Sequence, residues 1–187
     1  MLVDAVQSVG QHPVDVDSWG ADGVAAAGHK WLLAPTGTGF LYVAEDFARE
    51  LQPAQIGYLG LADADADPYE LHPDARRFEV GTASPAPYAG LAEGIAVIEE
   101  VGFDTIADHV QGLTDRLKDG VEADRLVSAR EYESGLVTID VEDPEATVER
   151  LAEEDVVVRD IPGTGTVRVS VHAFNTAEDV DALLDGL

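Results

Sequence analysis

Cysteine is absent from this 187-residue chain. That excludes disulfides, thiolate metal sites and cysteine nucleophiles together. Lysine is nearly absent: among 11 Lys plus Arg residues only Lys30 and Lys118 are lysines. Against 37 Asp plus Glu, the formal net charge is −26. Such a charge repels phosphate backbones and anionic lipid, so neither nucleic acid nor a membrane surface is expected as a partner. No apolar run approaches the roughly 18 residues of a membrane span. The first residues lack a basic region followed by an apolar core, so no signal peptide is visible and a cytoplasmic location is expected.

What the chain does contain is apolar residues, 45% of the total and spread throughout. This argues for a folded protein in an acidic coat rather than a disordered acidic chain. Acids in place of lysine, with arginine retained, point to a halophilic source, because high salt screens the mutual repulsion. The length suits one domain, or one and a half, and is ample for a core.

The hydropathy pattern predicts an α/β chain in two parts, residues 1–123 and 124–187. In the first, Met1–Asp4, Asp22–Ala27 and Thr38–Ala44 read as strand-like runs, the last followed by a short helix to about Leu51. Residues 53–87, rich in Pro, Gly and Asp, read as a long loop. Two helices follow. One has a stripe of Leu91, Ile95, Ile98 and Val101 expected to be core, and the other a stripe of Ile106, Val110, Leu113 and Leu117. From 124 the expected order is strand, strand, helix, strand, strand, helix. Val137, Ile139 and Val141 alternate with polar residues, Asp143-Pro144 opens a helix, and Val156–Arg159 reads as the third strand. Val167, Val169 and Val171 alternate with Arg168, Ser170 and His172, and Thr176–Asp179 resembles a capping box before the last apolar stripe.

Lys30 stands between apolar residues in Ala27-Gly28-His29-Lys30-Trp31, just before a Gly-rich turn. A lysine amine becomes a nucleophile through burial or a cationic neighbour, and its best-known use is a Schiff base with pyridoxal phosphate. Asp4 ends an upstream apolar run, and an acid is the usual partner of that cofactor's pyridinium nitrogen. Singly, the residues have plainer readings. Asp4 can simply end a strand at a turn, His29 can be a hydrogen-bonded core histidine, Thr82 can be turn chemistry, and Arg168 can pair with surface acids.

Five stretches in order give the pattern more weight: Val3-Asp4-Ala5-Val6-Gln7-Ser8, Gly28-His29-Lys30-Trp31, Pro35–Val43, Arg77–Thr82 and Arg168–Asp179. With them the chain resembles the class V aminotransferases, the pyridoxal-phosphate family that includes cysteine desulfurases. The resemblance implies the fold-type-I architecture of pyridoxal-phosphate-dependent transferases, here a partial large domain followed by a small α+β C-terminal domain. It implies that Lys30 forms the Schiff base and shuttles protons, Asp4 pairs with the pyridinium nitrogen, and Gln7 hydrogen-bonds the phenolic oxygen. His29 helps hold the phosphate, Thr82 reaches the phosphate of a neighbouring subunit in a homodimer, and Arg168 grips the substrate carboxylate.

The departures are equally specific. Desulfurases of the family carry a cysteine before the arginine strand, whereas Asp160–Val167 is short and holds none, which disfavours that mechanism. Ala27 stands where relatives often place a phosphate-binding serine. About half of the family's large domain lies upstream of the aspartate strand. The expectation is therefore an enzyme acting on an amino-acid substrate by transamination, epimerisation or elimination; the alternative is a truncated, non-catalytic remnant. Metal ligation is not expected: Asp63, Asp65 and Asp67 mimic a calcium loop but put Pro68 where the turn wants Gly, and the histidines lack zinc spacing.

Overall fold

The run Gly23-Val-Ala-Ala-Ala27 is built of small residues, and it forms the central strand of a three-stranded sheet. In the computed structural model, which describes residues 1–187, β1 (Leu2–Asp4) pairs with β2 (Gly23–Ala27) in parallel, and β3 (Gly39–Val43) pairs with β2 antiparallel. Parallel neighbours need a crossover; here it is residues 5–22, closed by Ala5, Ala21 and Val24, which are buried together. After β3 comes the short helix α1 (Glu45–Glu50).

The 53–87 segment is mostly irregular but carries a small hairpin, β4 (Leu61–Asp63) with β5 (Glu70–Leu71), and 3-10 turns at Tyr58–Gly60 and Ala75–Phe78. Arg77 anchors it. That side chain is buried, and its guanidinium donates to the carbonyl of Ala48 at the end of α1. The Asp63 carboxylate accepts the backbone N–H groups of Asp65 and Ala66, so this acid serves the local turn.

Helix α2 (Ala86–Val101) corrects one expectation. Of its predicted core stripe only Ile98 is buried; Ile95 and Val101 are exposed. The close packing of α2 runs instead through small residues: Gly90 lies against Pro35, and a Cβ on Gly94 would meet the carbonyl of Leu32. Helical periodicity identifies an apolar face but not what covers it.

The chain forms two compact units, Met1–Glu100 and Val101–Leu187. This division falls before the helix α3 (Phe103–Gly120), whereas the sequence pattern put the boundary at 123/124. The reason is packing: Val110, Leu113 and Leu117 of α3 share one buried cluster with Val137, Ile139, Leu151, Val167, Val169 and Leu183. Each such fully buried side chain stabilises the unit by roughly 1.5–3 kcal/mol.

The second unit is an antiparallel sheet in the order β6-β8-β7, from β6 (Leu136–Asp140), β7 (Arg159–Ile161) and β8 (Thr166–Ser170). It also holds α4 (Pro144–Glu153) and α5 (Ala177–Asp185). Asp143 caps α4 with Pro144 in its first turn, and Thr176 with Asp179 forms the expected capping box of α5. Two strand expectations shift. The first expected strand is reduced to one bridge, Leu126 to Ile139. The third is Arg159–Ile161 rather than Val156–Arg159, because the tight turn to β8 fixes the pairing and leaves Val157 at 88% exposure.

Candidate active site

Asp4 ends β1, and its register partner is Ala25 of β2. Two residues beyond Ala27 the same strand β2 delivers His29 and Lys30. The carboxyl ends of adjacent parallel strands therefore lead to an acid and a lysine at the same edge of the sheet, the edge where α/β sheets bind ligands. The exposed Asp4 carboxylate accepts the Val6 N–H at 3.1 Å and keeps further acceptor capacity.

The lysine lies in a closed turn. Gly28 N–H donates to Thr38 O at 3.0 Å, Leu33 N–H to Lys30 O at 3.2 Å, and Ala34 N–H to Gly28 O at 3.0 Å. Gly28 is needed here, since a Cβ would run into the hydroxyl of Thr38, itself buried and bonded to Pro35 O at 2.9 Å. Lys30 is half-buried and His29 exposed. The chain's ion pairs use Arg49, Arg76, Arg116, Arg130 and the N-terminus; Lys30 is in none of them. Its amine is thus not committed to a carboxylate.

Gln7 binds the two strand ends together. The buried indole of Trp31 donates from Nε1 to Gln7 Oε1 at 2.9 Å, and Gln11 Nε2 donates to the Gln7 carbonyl at 2.7 Å. Of the residues singled out in the sequence, Asp4, Gln7, His29 and Lys30 converge on this edge. Trp31 was not singled out; an indole one residue after the lysine, with a glutamine after the acid, was the available signal.

Thr82 lies elsewhere in the first unit, exposed, with its hydroxyl against that of Tyr58. Arg168 belongs to the second unit, in the middle of its central strand, between Thr138 of β6 and Arg159 of β7. Val167, Val169 and Val171 are buried, as the alternation predicts, which puts Arg168 on the opposite face. Its Nε is buried without a partner. Arg159, directly across from it, is a second guanidinium on that face which the sequence pattern did not reveal. Like charges directly opposite are unfavourable in a sheet, and an anion between them relieves that. Beyond β8, His172 stacks on Phe174 with ring centroids 4.5 Å apart, and its backbone N–H donates to Asn175 Oδ1 at 2.9 Å.

The aminotransferase class-V family model matches residues 1–183. The chain belongs to this family. A probable cysteine desulfurase of Methanothermobacter thermautotrophicus is 34% identical over 97% of the chain and 50% of its own length. The apo structure of a cysteine desulfurase from Thermococcus onnurineus NA1 is similar with a TM-score of 0.86 at 32% identity, covering 98% of this chain and 50% of that one. A mutant of C-DES with glycine covalently linked to its pyridoxal-phosphate cofactor is similar with a TM-score of 0.86 at 26% identity, over 96% and 49% of the two chains. The fold is accordingly that of the fold-type-I pyridoxal-phosphate enzymes. The chain spans about half the length of the curated relatives it matches.

Proposed function

We propose that this chain carries the cofactor lysine of a pyridoxal-phosphate enzyme of the class V family, acting on an amino acid. The observation that carries the reading is the convergence of Asp4, Gln7 and Lys30 at the ends of two parallel strands, clasped by the Gln7–Trp31 hydrogen bond. The donor set fits the cofactor: an uncommitted amine, a carboxylate with spare acceptor capacity, and an amide whose oxygen is already satisfied.

In this reading Lys30 would hold the cofactor covalently and, as a free amine, would carry a proton at the substrate α-carbon. Asp4 accepts the N–H of the cofactor ring, Gln7 donates to its phenolic oxygen, and His29 helps hold its phosphate. When bound, the cofactor supplies an electron sink for breaking a bond at the substrate α-carbon. Arg168 holds the substrate carboxylate through a bidentate fork, and the paired guanidinium of Arg159 supports the same preference for an anion. Thr82 reaches the phosphate of a second copy, so the working assembly is a homodimer.

The reaction lies among transamination, epimerisation and elimination. A persulfide route through a protein thiol is disfavoured because the chain has no cysteine, and the β7–β8 connection is a tight turn. The second reading is a folded chain that binds no cofactor productively; the exposure of Asp4 and His29 is the observation on its side.

Borohydride reduction decides between them. The chain is incubated with pyridoxal phosphate in high salt, reduced, digested and mapped by mass. Label on Lys30 alone supports the enzyme reading. A folded chain with no label at Lys30 means that this span holds no working site and supports the second reading.

A further inference from the structure

We propose that Trp31 is a positioning residue that sets the Gln7 amide so that its nitrogen, not its oxygen, faces the cofactor's phenolic oxygen. This rests on the reading of Lys30 and Gln7 just given. An indole N–H can only donate. The end of the Gln7 amide that meets Trp31 Nε1 at 2.9 Å is therefore the oxygen, and the Nε2 donor is turned away from the indole. A freely rotating amide presents oxygen and nitrogen by turns, and oxygen against a phenolic oxygen is two acceptors in contact.

Both partners are held so that the bond keeps its direction. Trp31 is 6% exposed. Gly10, at φ +97°, lies so close that a Cβ there would collide with the Trp31 backbone. Gln11 holds the backbone carbonyl of Gln7 at 2.7 Å. Because Trp31 follows Lys30 directly, one turn carries both the covalent attachment and the part that orients a neighbouring donor.

The test uses the 187-residue chain in high salt, with Trp31→Phe, Gln7→Leu, Gln7→Glu and the Trp31→Phe/Gln7→Leu pair. Without cofactor, the Gln7 side-chain amide signals, assigned by their loss in Gln7→Leu, are expected to move to solvent-like shifts in Trp31→Phe. Unchanged signals overturn the inference. With pyridoxal phosphate titrated, Gln7→Leu is expected to weaken binding by about tenfold, the size of one net hydrogen bond. Trp31→Phe is expected to weaken it by roughly three- to tenfold, and the double variant no more than Gln7→Leu alone. Losses that multiply mean that Trp31 acts only by packing, which overturns the inference while cofactor uptake leaves the site reading intact. Gln7→Glu keeps an acceptor for the indole and lacks the donor, so it provides a check independent of any folding defect in Trp31→Phe. Unchanged cofactor affinity in Gln7→Glu overturns the inference, whereas no uptake by the unaltered chain overturns the site reading with it.

Discussion

The ammonium of Lys118 donates to the backbone carbonyl of Glu131 at 2.8 Å from a side chain that is only 2% exposed. Arg130 returns the tie by donating to the carbonyl of Lys118. Together they fasten the connection that leads from α3 to β6. Lys118→Ala should lower the stability of the second unit by about 1–3 kcal/mol, since it leaves a carbonyl unsatisfied and removes buried methylenes. Chemical denaturation checks it. In the borohydride experiment, label on Lys118 would then mark unfolded chain.

Leu33, in the turn that carries Lys30, has φ +59°. A left-handed leucine is disfavoured by roughly 1–2 kcal/mol, and glycine gives back about 0.5–1 kcal/mol in chain entropy. The side chain is 37% exposed, so glycine also gives up contacts worth roughly 1–2 kcal/mol. Leu33→Ala loses the same contacts but keeps the left-handed strain, so Leu33→Gly should be more stable than Leu33→Ala by about 0.5–1 kcal/mol, read as a higher denaturation midpoint.

The capping box of α5 gives a third expectation. Thr176 Oγ1 accepts from Asp179 N–H at 3.3 Å, and Asp179 accepts from Thr176 N–H at 2.9 Å. Val180 and Leu183 of that helix lie in the core, so fraying reaches the buried cluster. Thr176→Ala should cost about 1 kcal/mol in unfolding free energy. Thr176→Ser should cost much less.

Asp74 gives the pH dependence. Side-chain hydrogen bonds from Arg76, at 2.8–3.2 Å, and its backbone N–H at 3.0 Å hold the carboxyl down to about 2. A depressed carboxyl contributes its full share of stability above its unfolded value, about 4, and loses it as the pH falls towards about 2. A carboxyl-carbon NMR titration should place its midpoint near 2, and Arg76→Ala, which removes the side-chain bonds and keeps the backbone N–H, should raise it part of the way towards about 4.

Salt dependence follows from composition. With a net charge of −26, dialysis into dilute buffer removes the screening that holds the acidic surface together. Helical circular dichroism should fall on dialysis and return when salt is restored. An unchanged signal sinks the halophilic reading.

The part of the site that was legible in the sequence is the part fixed by short-range chemistry. Asp4, Gln7, His29 and Lys30 follow strand ends within a few residues, so ordered motifs place them without long-range information. The capping residues Asp143 and Thr176 were legible for the same reason. What was hidden depended on partners distant in sequence. α3 goes with the second unit because Val110 and Leu117 meet Val137 and Val167, a preference its own periodicity does not contain. The Val156–Val158 run has strong strand propensity, yet pairing begins at Arg159 because the β7–β8 turn sets the register. The Arg159–Arg168 pair and the Trp31–Gln7 bond were invisible until that register and the crossover were known.

The burial of Lys118 has a practical side. With that amine withdrawn, Lys30 is the one side-chain amine that reagents can reach in the folded chain, besides the terminal amine of Met1. Amine-directed crosslinkers, fluorophores and resins, which scatter over most protein surfaces, therefore meet this one at two addresses, Lys30 and the terminal amine. A dye that reaches Lys30 gives a direct competition test of the proposed pyridoxal-phosphate site, without engineering a handle into the chain.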